Sequence, residues 1–109
     1  MARNTSLGEF EHLVLLSVLQ LQDKARAIDL RSHIRDKTGR TVSRGALYSS
    51  LDRLEEKGFL TWEVESSTPE RGGIPRRCFK VTEEGLEAVR SASQAIFVLS
   101  EGLEKVLGR

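Results

Sequence analysis

Apolar residues recur every three or four positions along the first half of the chain, which is the spacing of amphipathic α-helices. This pattern predicts three helices, within FEHLVLLSVLQL (10–21), KARAIDLRSHIRDKTG (24–39) and SRGALYSSLDRLEEKGFL (43–60). Ser6 and Glu9 have the spacing of a capping box at the start of the first helix, and Ser43 is the predicted N-cap of the third. Gly39 and Gly58 are predicted to stop the second and third helices, since glycine is favoured just past a helix end.

After residue 58 the apolar period changes to two, which is the alternation of a half-buried strand. FLTWEVE (59–65) and RRCFKVT (76–82) are the predicted strands, joined as a long hairpin by the turn-forming segment SSTPERGGIP (66–75). Thr82 is the predicted cap of a last helix from about 83 to 107. The predicted fold class is therefore mainly α with a small β-hairpin: a winged helix-turn-helix over 1–82, followed by a long C-terminal dimerisation helix over 83–109.

The composition of the 109 residues, 39% hydrophobic and 30% charged, is that of an ordinary globular domain with one modest core. No run approaches the about 20 apolar residues that a membrane span needs, and the first residues show no export signal. A single cysteine leaves no partner for an intramolecular disulfide. These features predict a cytoplasmic protein with no membrane partner.

Charge is distributed unevenly, although the net charge is only +1. Residues 66–81 carry four basic side chains against one acidic (+3), whereas residues 83–107 carry two basic against five acidic (−3). Positive charge is thus concentrated in the hairpin loop and its flanks, where it would attract nucleic-acid phosphates.

The first turns of the third helix carry short or hydrogen-bonding side chains where a solvated helix would carry Lys and Glu. In a helix-turn-helix, this end of the motif's second helix faces the base edges in the DNA major groove. Arginine can pair there with guanine or phosphate, and hydroxyl groups can bond to either. The DNA-binding residues predicted here are Thr41, Ser43, Arg44, Gly45, Tyr48 and Ser49.

Two plainer interpretations of this helix stay open. Its polar face could simply meet solvent, and Tyr48 could be a core aromatic whose hydroxyl finds a partner. Gly45 lowers helix propensity by about 1 kcal/mol, so close approach of a neighbouring helix or of DNA would explain its presence.

The hairpin loop is the second candidate DNA contact. Its arginines and adjacent glycines are typical of a basic wing that reaches phosphates or the minor groove, although such a loop can also be a solubilising surface. Arginine in place of lysine favours a forked contact with phosphate. The residues predicted to bind DNA here are Arg71, Gly72, Gly73, Arg76 and Arg77.

The first and last helices carry more apolar surface than one small domain can cover, which predicts a homodimer. Two copies would present two recognition helices to an inverted repeat in double-stranded DNA, with half-sites about 34 Å apart. The predicted dimerisation residues are Phe10, Leu13, Val14, Val89, Ile96, Phe97, Leu99, Leu103, Val106 and Leu107.

Other chemistry has little support in the sequence. His12, His33 and Cys78 lie on three different elements without the spacing of metal ligands, so no metal and no cofactor are expected. No phosphate-binding glycine loop or nucleophile motif is present, so an enzyme is not expected. Two alternatives to a DNA-binding regulator remain: a winged-helix module that binds a protein, and a regulator in which Cys78, near the basic residues Arg77 and Lys80, senses redox state.

The segments GALYSSLDRLEEKGFL and RGGIPRRCFKVTEEGLEAV resemble the PadR family of transcriptional regulators. The resemblance extends from LGEFEHLVLLSVL onward and implies a homodimeric winged-helix repressor of the short subfamily, which has a single C-terminal helix. It also implies that a small hydrophobic effector could bind at the dimer centre, where Phe97 is the aromatic residue of the last helix. The matching positions are Gly45, Leu47, Tyr48, Leu51, Leu54, Glu55, Gly58, Gly72, Gly73, Phe79, Val81, Thr82 and Gly85.

Overall fold

A computed structural model of the protein describes residues 6–65 and 76–108. Five α-helices and a two-stranded antiparallel hairpin occur in these residues, and a 3₁₀ turn at Gln22–Lys24 follows the first helix. In chain order the elements are α1 (Glu9–Leu21), α2 (Ala27–Thr38), α3 (Arg44–Glu56), β1 (Leu60–Glu65), β2 (Arg76–Val81), α4 (Glu83–Ser100) and α5 (Glu104–Leu107). The predicted winged helix-turn-helix with a separate C-terminal helix is confirmed.

The core lies between α1, α2, α3 and the inner face of the hairpin. Leu47, Leu51 and Leu54 of α3 are fully buried, as their helical spacing predicted. Leu15 of α1 and Leu30 of α2 pack in the same cluster. The opposite face of α3 is therefore left outside the core.

The hairpin pairs Trp62 with Phe79 and Val64 with Arg77 across the two strands. Phe79 is buried, and its backbone N–H donates to the carbonyl of Ala25 (2.8 Å), which attaches β2 to the segment before α2. Val64, the last apolar residue of the strand predicted to be half-buried, is 61% exposed because the hairpin extends beyond the core at that point. The hairpin is thus part of the core at Phe79 and is exposed at Val64.

One helix start differs from the prediction. The N-cap of α1 is Gly8, whose N–H donates to the Glu11 carboxylate (2.8 Å), so the box predicted at Ser6 and Glu9 lies two residues further along. The second helix begins at Ala27, inside the predicted segment 24–39, with Arg26 as its N-cap. Its predicted end is confirmed, with Gly39 in the left-handed conformation (φ 78°).

The last helix is shorter than predicted. α4 has 18 residues, about 27 Å at 1.5 Å per residue, and it ends at Ser100 instead of continuing to about 107. Gly102 has φ 82°, a left-handed conformation that breaks the helix, and the four-residue α5 follows. The division of the chain into domains at residue 82 stays a prediction.

Candidate nucleic-acid interface

α3 begins at a hydroxyl cap and exposes its first turn. The Ser43 hydroxyl oxygen accepts the Ala46 backbone N–H (3.1 Å), as predicted for an N-cap. Thr41, Ser43, Arg44, Gly45 and Ser49 are exposed. The structure therefore brings these five predicted residues together on one accessible surface, and their contact with DNA stays a prediction.

Gly45 has open space on the side where a β-carbon would stand. No atom of the described residues lies within 4 Å of that position. Close approach of a neighbouring helix, one of the two explanations for this glycine, is therefore excluded within residues 6–65 and 76–108. Close approach of DNA at this position stays a prediction.

Tyr48 is half-buried and has two roles in the structure. Its ring packs against the hydrophobic core, as the plainer interpretation held. The same residue also lines an open cleft between α2, α3 and β2, together with Ile28 and Arg77. Its ring is therefore both a core contact and part of the candidate interface.

The arginines differ in whether they have a carboxylate partner. Within the described residues, five of them form ion pairs: Arg26 with Asp29 and Glu65, Arg35 with Asp36, Arg40 with Glu9, Arg53 with Glu11, and Arg90 with Glu87. The others have no carboxylate partner there, and they are Arg31, Arg44, Arg76 and Arg77. All four line clefts on the face formed by α2, α3 and β2. Positive charge without a local counter-charge is thus concentrated on this face.

Sequence reasoning missed the contribution of α2 to this face. Ile28, Arg31, Ser32 and Arg35 line a shallow cleft with Thr41 at the approach to α3. Arg31 is held in place because its Nε–H donates to the carbonyl of Val42 (3.0 Å). The arginines at positions 31 and 35, one helical turn apart, were the available sequence signal.

The predicted wing residues have different outcomes. Arg76 is exposed, and Arg77 is partly covered. The Arg77 guanidinium carbon lies 5.1 Å from the centre of the Trp62 ring, 5.5 Å from that of Phe79 and 6.0 Å from that of Tyr48. Arg71, Gly72 and Gly73 lie outside the described residues.

An ion-pair cluster attaches the base of the wing to the start of α2. Arg26 Nε and Nη2 donate to the two Glu65 carboxylate oxygens (2.8 and 2.9 Å), and Nη1 donates to Asp29 (3.1 Å). The hydrogen bonds to Glu65 and then to Asp29 raise the pKa of Arg26 above its ordinary value. Arg26 is neutralised by these two carboxylates, so it adds little positive charge to the adjacent cleft.

A second charged cluster joins the far end of α3 to α1. Lys57 Nζ donates to both oxygens of the buried Glu11 carboxylate (2.8 and 3.1 Å), and Arg53 Nε lies 3.5 Å from it. Burial is the largest single influence and raises the pKa of Glu11, but the hydrogen bonds from Lys57 and Gly8 and the two positive charges together lower that pKa below its usual value. The cluster fixes the end of the helix opposite the candidate interface.

The predicted dimerisation residues separate into core and surface. Val14 and Val89 are buried in the core of the chain itself, so they present no surface to a second copy. Phe10 and Leu13 are half-buried. An exposed apolar surface, the C-terminal apolar face, consists of Ile96, Phe97, Val98, Leu99, Leu103, Val106 and Leu107. Val98 of this face was not among the predicted dimerisation residues. Leu16 and Leu19 of α1 are also exposed, and they were not predicted either.

Other candidate chemistry can be located in the described residues. Cys78 is buried, and its thiol donates to the carbonyl of Asp23 (3.2 Å). His12 lies 3.0 Å from the Ser93 hydroxyl, and His33 lies 2.6 Å from Gln20. No group of three metal-ligating side chains occurs in residues 6–65 and 76–108. No helix of that part of the chain has the length and apolar character needed to cross a membrane.

A three-helix core, a hairpin wing and an exposed first turn on the third helix define a winged-helix DNA-binding fold. The model of the transcriptional regulator PadR-like family matches residues 15–91, and the chain belongs to this family. The chain is thus a PadR-family transcriptional regulator.

Solved structures agree in fold with this assignment. A PadR family transcriptional regulator from Eggerthella lenta is 31% identical, with 91% of this chain and 86% of that chain covered and a TM-score of 0.69. A PadR-like transcription factor from Bacteroides fragilis is 26% identical, covering 89% and 88%, with a TM-score of 0.70. A viral winged-helix DNA-binding protein, F93 from STIV, is 21% identical, covers 84% and 91%, and has a TM-score of 0.62. No curated protein sequence matches this chain.

Proposed function

We propose that the protein is a homodimeric repressor that binds an inverted repeat in double-stranded DNA through α3 and the wing. The observation that carries this proposal is the clustering of Arg31, Arg44, Arg76 and Arg77, whose charges have no carboxylate partner among the described residues. Folded proteins usually pair or disperse such charges, so a face that concentrates them suits a polyanion.

The roles of individual residues follow from their positions. Ser43, Arg44 and Ser49 would face base edges, because they are exposed on the first turns of α3. Arg76 would contact a phosphate beside the groove, because it lies at the start of β2 next to the wing loop. The acidic residues Asp52 and Glu56 lie further along α3, where the helix would leave the groove.

The C-terminal apolar face supports the homodimer. Seven large apolar side chains are exposed on α4 and the segment that follows it, which is more than single surface residues require. A second copy is the occupant that would also present two recognition helices to one duplex. Phe97, which is 64% exposed on this face, is the residue that we propose for contact with a hydrophobic effector, if the dimer binds one.

The two alternative functions gain no comparable support. The thiol of Cys78 is covered and engaged with a backbone carbonyl, whereas a redox-sensing thiol is generally accessible. A protein-binding module would not require a face of unpaired arginines. A thiol oxidant that releases bound DNA, with Cys78→Ser abolishing the response, would favour the redox alternative.

The test is a mobility-shift and footprinting experiment on the DNA upstream of the protein's own gene. We expect a protected inverted repeat, bound by two copies, with affinity that falls steeply as salt increases. Arg76→Glu should weaken binding to every sequence and reduce the salt dependence, whereas Arg44→Ala should relax base preference. Arg90→Glu on α4 is the matched control and should leave both unchanged. Binding that is insensitive to salt, or no binding to any DNA at low salt, would contradict the proposal.

A further inference from the structure

Arg77 forms one wall of a cleft that has the size and lining of an anion site. The cleft has a volume of about 340 Å³ and lies between the first turn of α2, Tyr48 of α3 and the first residues of β2. Its lining residues are Arg26, Ala27, Ile28, Tyr48, Arg76, Arg77 and Phe79, and no carboxylate residue is among them.

Three aromatic rings hold the Arg77 guanidinium in one place. Phe79 is buried in the core, Tyr48 packs against it, and the indole N–H of Trp62 donates to Glu55 (3.0 Å). These rings come from three different elements, α3, β1 and β2. The guanidinium lies within 6.0 Å of all three ring centres, where its planar faces are attracted to the rings.

The hydrogen-bonding edge of this guanidinium is unused within the described residues. The Arg77 side chain forms no hydrogen bond and no ion pair there, whereas the side chain of the neighbouring Arg26 bonds to both Glu65 and Asp29. A fixed guanidinium with free donors is a preorganised fork for an anion with two oxygens, because little side-chain entropy remains to be lost on binding.

The cleft is continuous with the candidate interface of α3. A second cleft shares Ala27, Ile28 and Tyr48 with it and is also lined by Arg44 and Arg31. An extended polyanion lying along both clefts would meet arginines from β2, α2 and α3 in succession. The first helix of a helix-turn-helix crosses the DNA backbone, so the sugar–phosphate strand is the polyanion that this geometry fits.

We infer that this cleft binds one backbone phosphate in each half-site, with Arg77 donating as a rigid fork and Arg76 as a second, mobile donor. The inference rests on the proposed function and adds to it the partner of one site: a phosphate, and not a base. Because Tyr48 contacts Arg77 and also lies on α3, the bound phosphate sets the position of the strand relative to the recognition helix.

The test replaces single phosphates of a duplex with neutral methylphosphonates. The duplex is one that the full chain selects from a random-sequence pool, and its affinity is measured after each replacement. With the natural sequence, we expect one phosphate in each half-site whose neutralisation weakens binding about tenfold. Arg77→Met, which keeps an apolar side chain between the rings, should bind less tightly and lose sensitivity at that phosphate alone.

Two further variants sharpen the result. Arg77→Lys keeps the charge without the fork, so it should retain only part of the sensitivity. Arg76→Ala removes only the second donor, so it should leave most of the sensitivity at the Arg77 phosphate in place. Thermal unfolding of each variant identifies any that fail to fold, and in that event the comparison rests on Arg77→Lys.

The outcomes distinguish this inference from the proposed function. If Arg77→Met and Arg77→Lys bind DNA with the same phosphate profile as the natural sequence, the site is wrong and the DNA-binding proposal stands. If no duplex is selected, both are wrong. If inorganic phosphate at millimolar concentration shifts the Arg77 side-chain NMR signal and DNA does not, the site binds a free anion and the inference is overturned.

Discussion

Gly85 of α4 packs directly against the backbone of Phe59, in the turn between α3 and β1. A β-carbon at position 85 would lie 2.9 Å from Val81 Cγ1 and would overlap the Phe59 carbonyl oxygen. That oxygen accepts the Thr82 backbone N–H (3.0 Å), and the Thr82 hydroxyl accepts the N–H of Gly85 (3.0 Å). The start of α4 is therefore joined rigidly to the turn at the end of α3.

Gly85→Ala should destabilise the protein by about 1–3 kcal/mol, because backbone atoms cannot move aside as a flexible side chain would. The free energy of unfolding is measured by urea denaturation at neutral pH. A variant with an unchanged urea midpoint would show that α4 can shift away from Phe59 without loss.

Gly45→Ala is the matched control for stability and a test of the interface. Nothing in the described residues lies within 4 Å of the added methyl group, so this change should stabilise the protein by about 0.4–1 kcal/mol. If the first turn of α3 approaches DNA closely, the same variant should bind DNA less tightly. A Gly45→Ala protein that gains stability and keeps full affinity would contradict close approach at this position.

Glu11→Gln should destabilise the protein by about 2 kcal/mol at pH 7, because the half-buried Lys57 ammonium loses its interaction with the charged carboxylate. The effect should depend on pH. The pKa of Glu11 is lowered in the folded protein from its ordinary value of 4.5, so the stabilisation is fully present above that pH and is lost as pH falls through the lower folded value.

Urea denaturation of the natural sequence and Glu11→Gln, at pH 7 and again below pH 4, measures this dependence. The difference between the two proteins should narrow in acid. A difference that is constant or grows in acid would show that Glu11 stabilises the fold by packing and not by its charge.

Leu99→Asp should disrupt the proposed homodimer. Leu99 is 77% exposed on the C-terminal apolar face, and pairing would bury the new charge without a partner. Sedimentation equilibrium should show the dimer dissociation constant raised at least about tenfold, or 1.4 kcal/mol.

Ile28→Asp is the control for this measurement. Ile28 is 60% exposed, but it lies on α2 beside Arg31 and Arg44. It should weaken DNA binding and leave the dimer intact. Equal loss of dimer in both variants would indicate that the change acts through general destabilisation.

The sequence predicted what depends on local spacing. The period of Leu47, Leu51 and Leu54 identified the buried face of α3, and Gly39 marked a helix end, because both effects operate within one or two turns. Reliance on local spacing also led to the wrong end for the last helix. Apolar residues at Leu99, Leu103 and Val106 continue the helical spacing across Gly102, so the periodicity concealed the break.

Contacts between elements that are distant along the chain could not be predicted from the sequence. Val14 and Val89 are apolar residues on helices with several apolar faces, and only the packing shows that both lie in the core of the single chain. Arg77 was predicted only as part of the basic wing, because nothing in its neighbourhood along the chain indicates that rings from α3, β1 and β2 surround it. Ion pairing decided which arginines keep free charge, and partners such as Glu65 for Arg26 are 39 positions away.

The absence of a linker between β2 and α4 limits how the protein could accommodate its target. Only Thr82 separates the two elements, and the contact of Gly85 with Phe59 restricts the movement of α4 relative to β2. In two copies joined at their C-terminal ends, the distance between the two recognition helices would therefore be fixed. One base pair added between half-sites moves the second half-site by about 3.4 Å and about a tenth of a turn. A rigid dimer could not change the separation of its recognition helices to match, so it would bind only operators with a single spacing between half-sites.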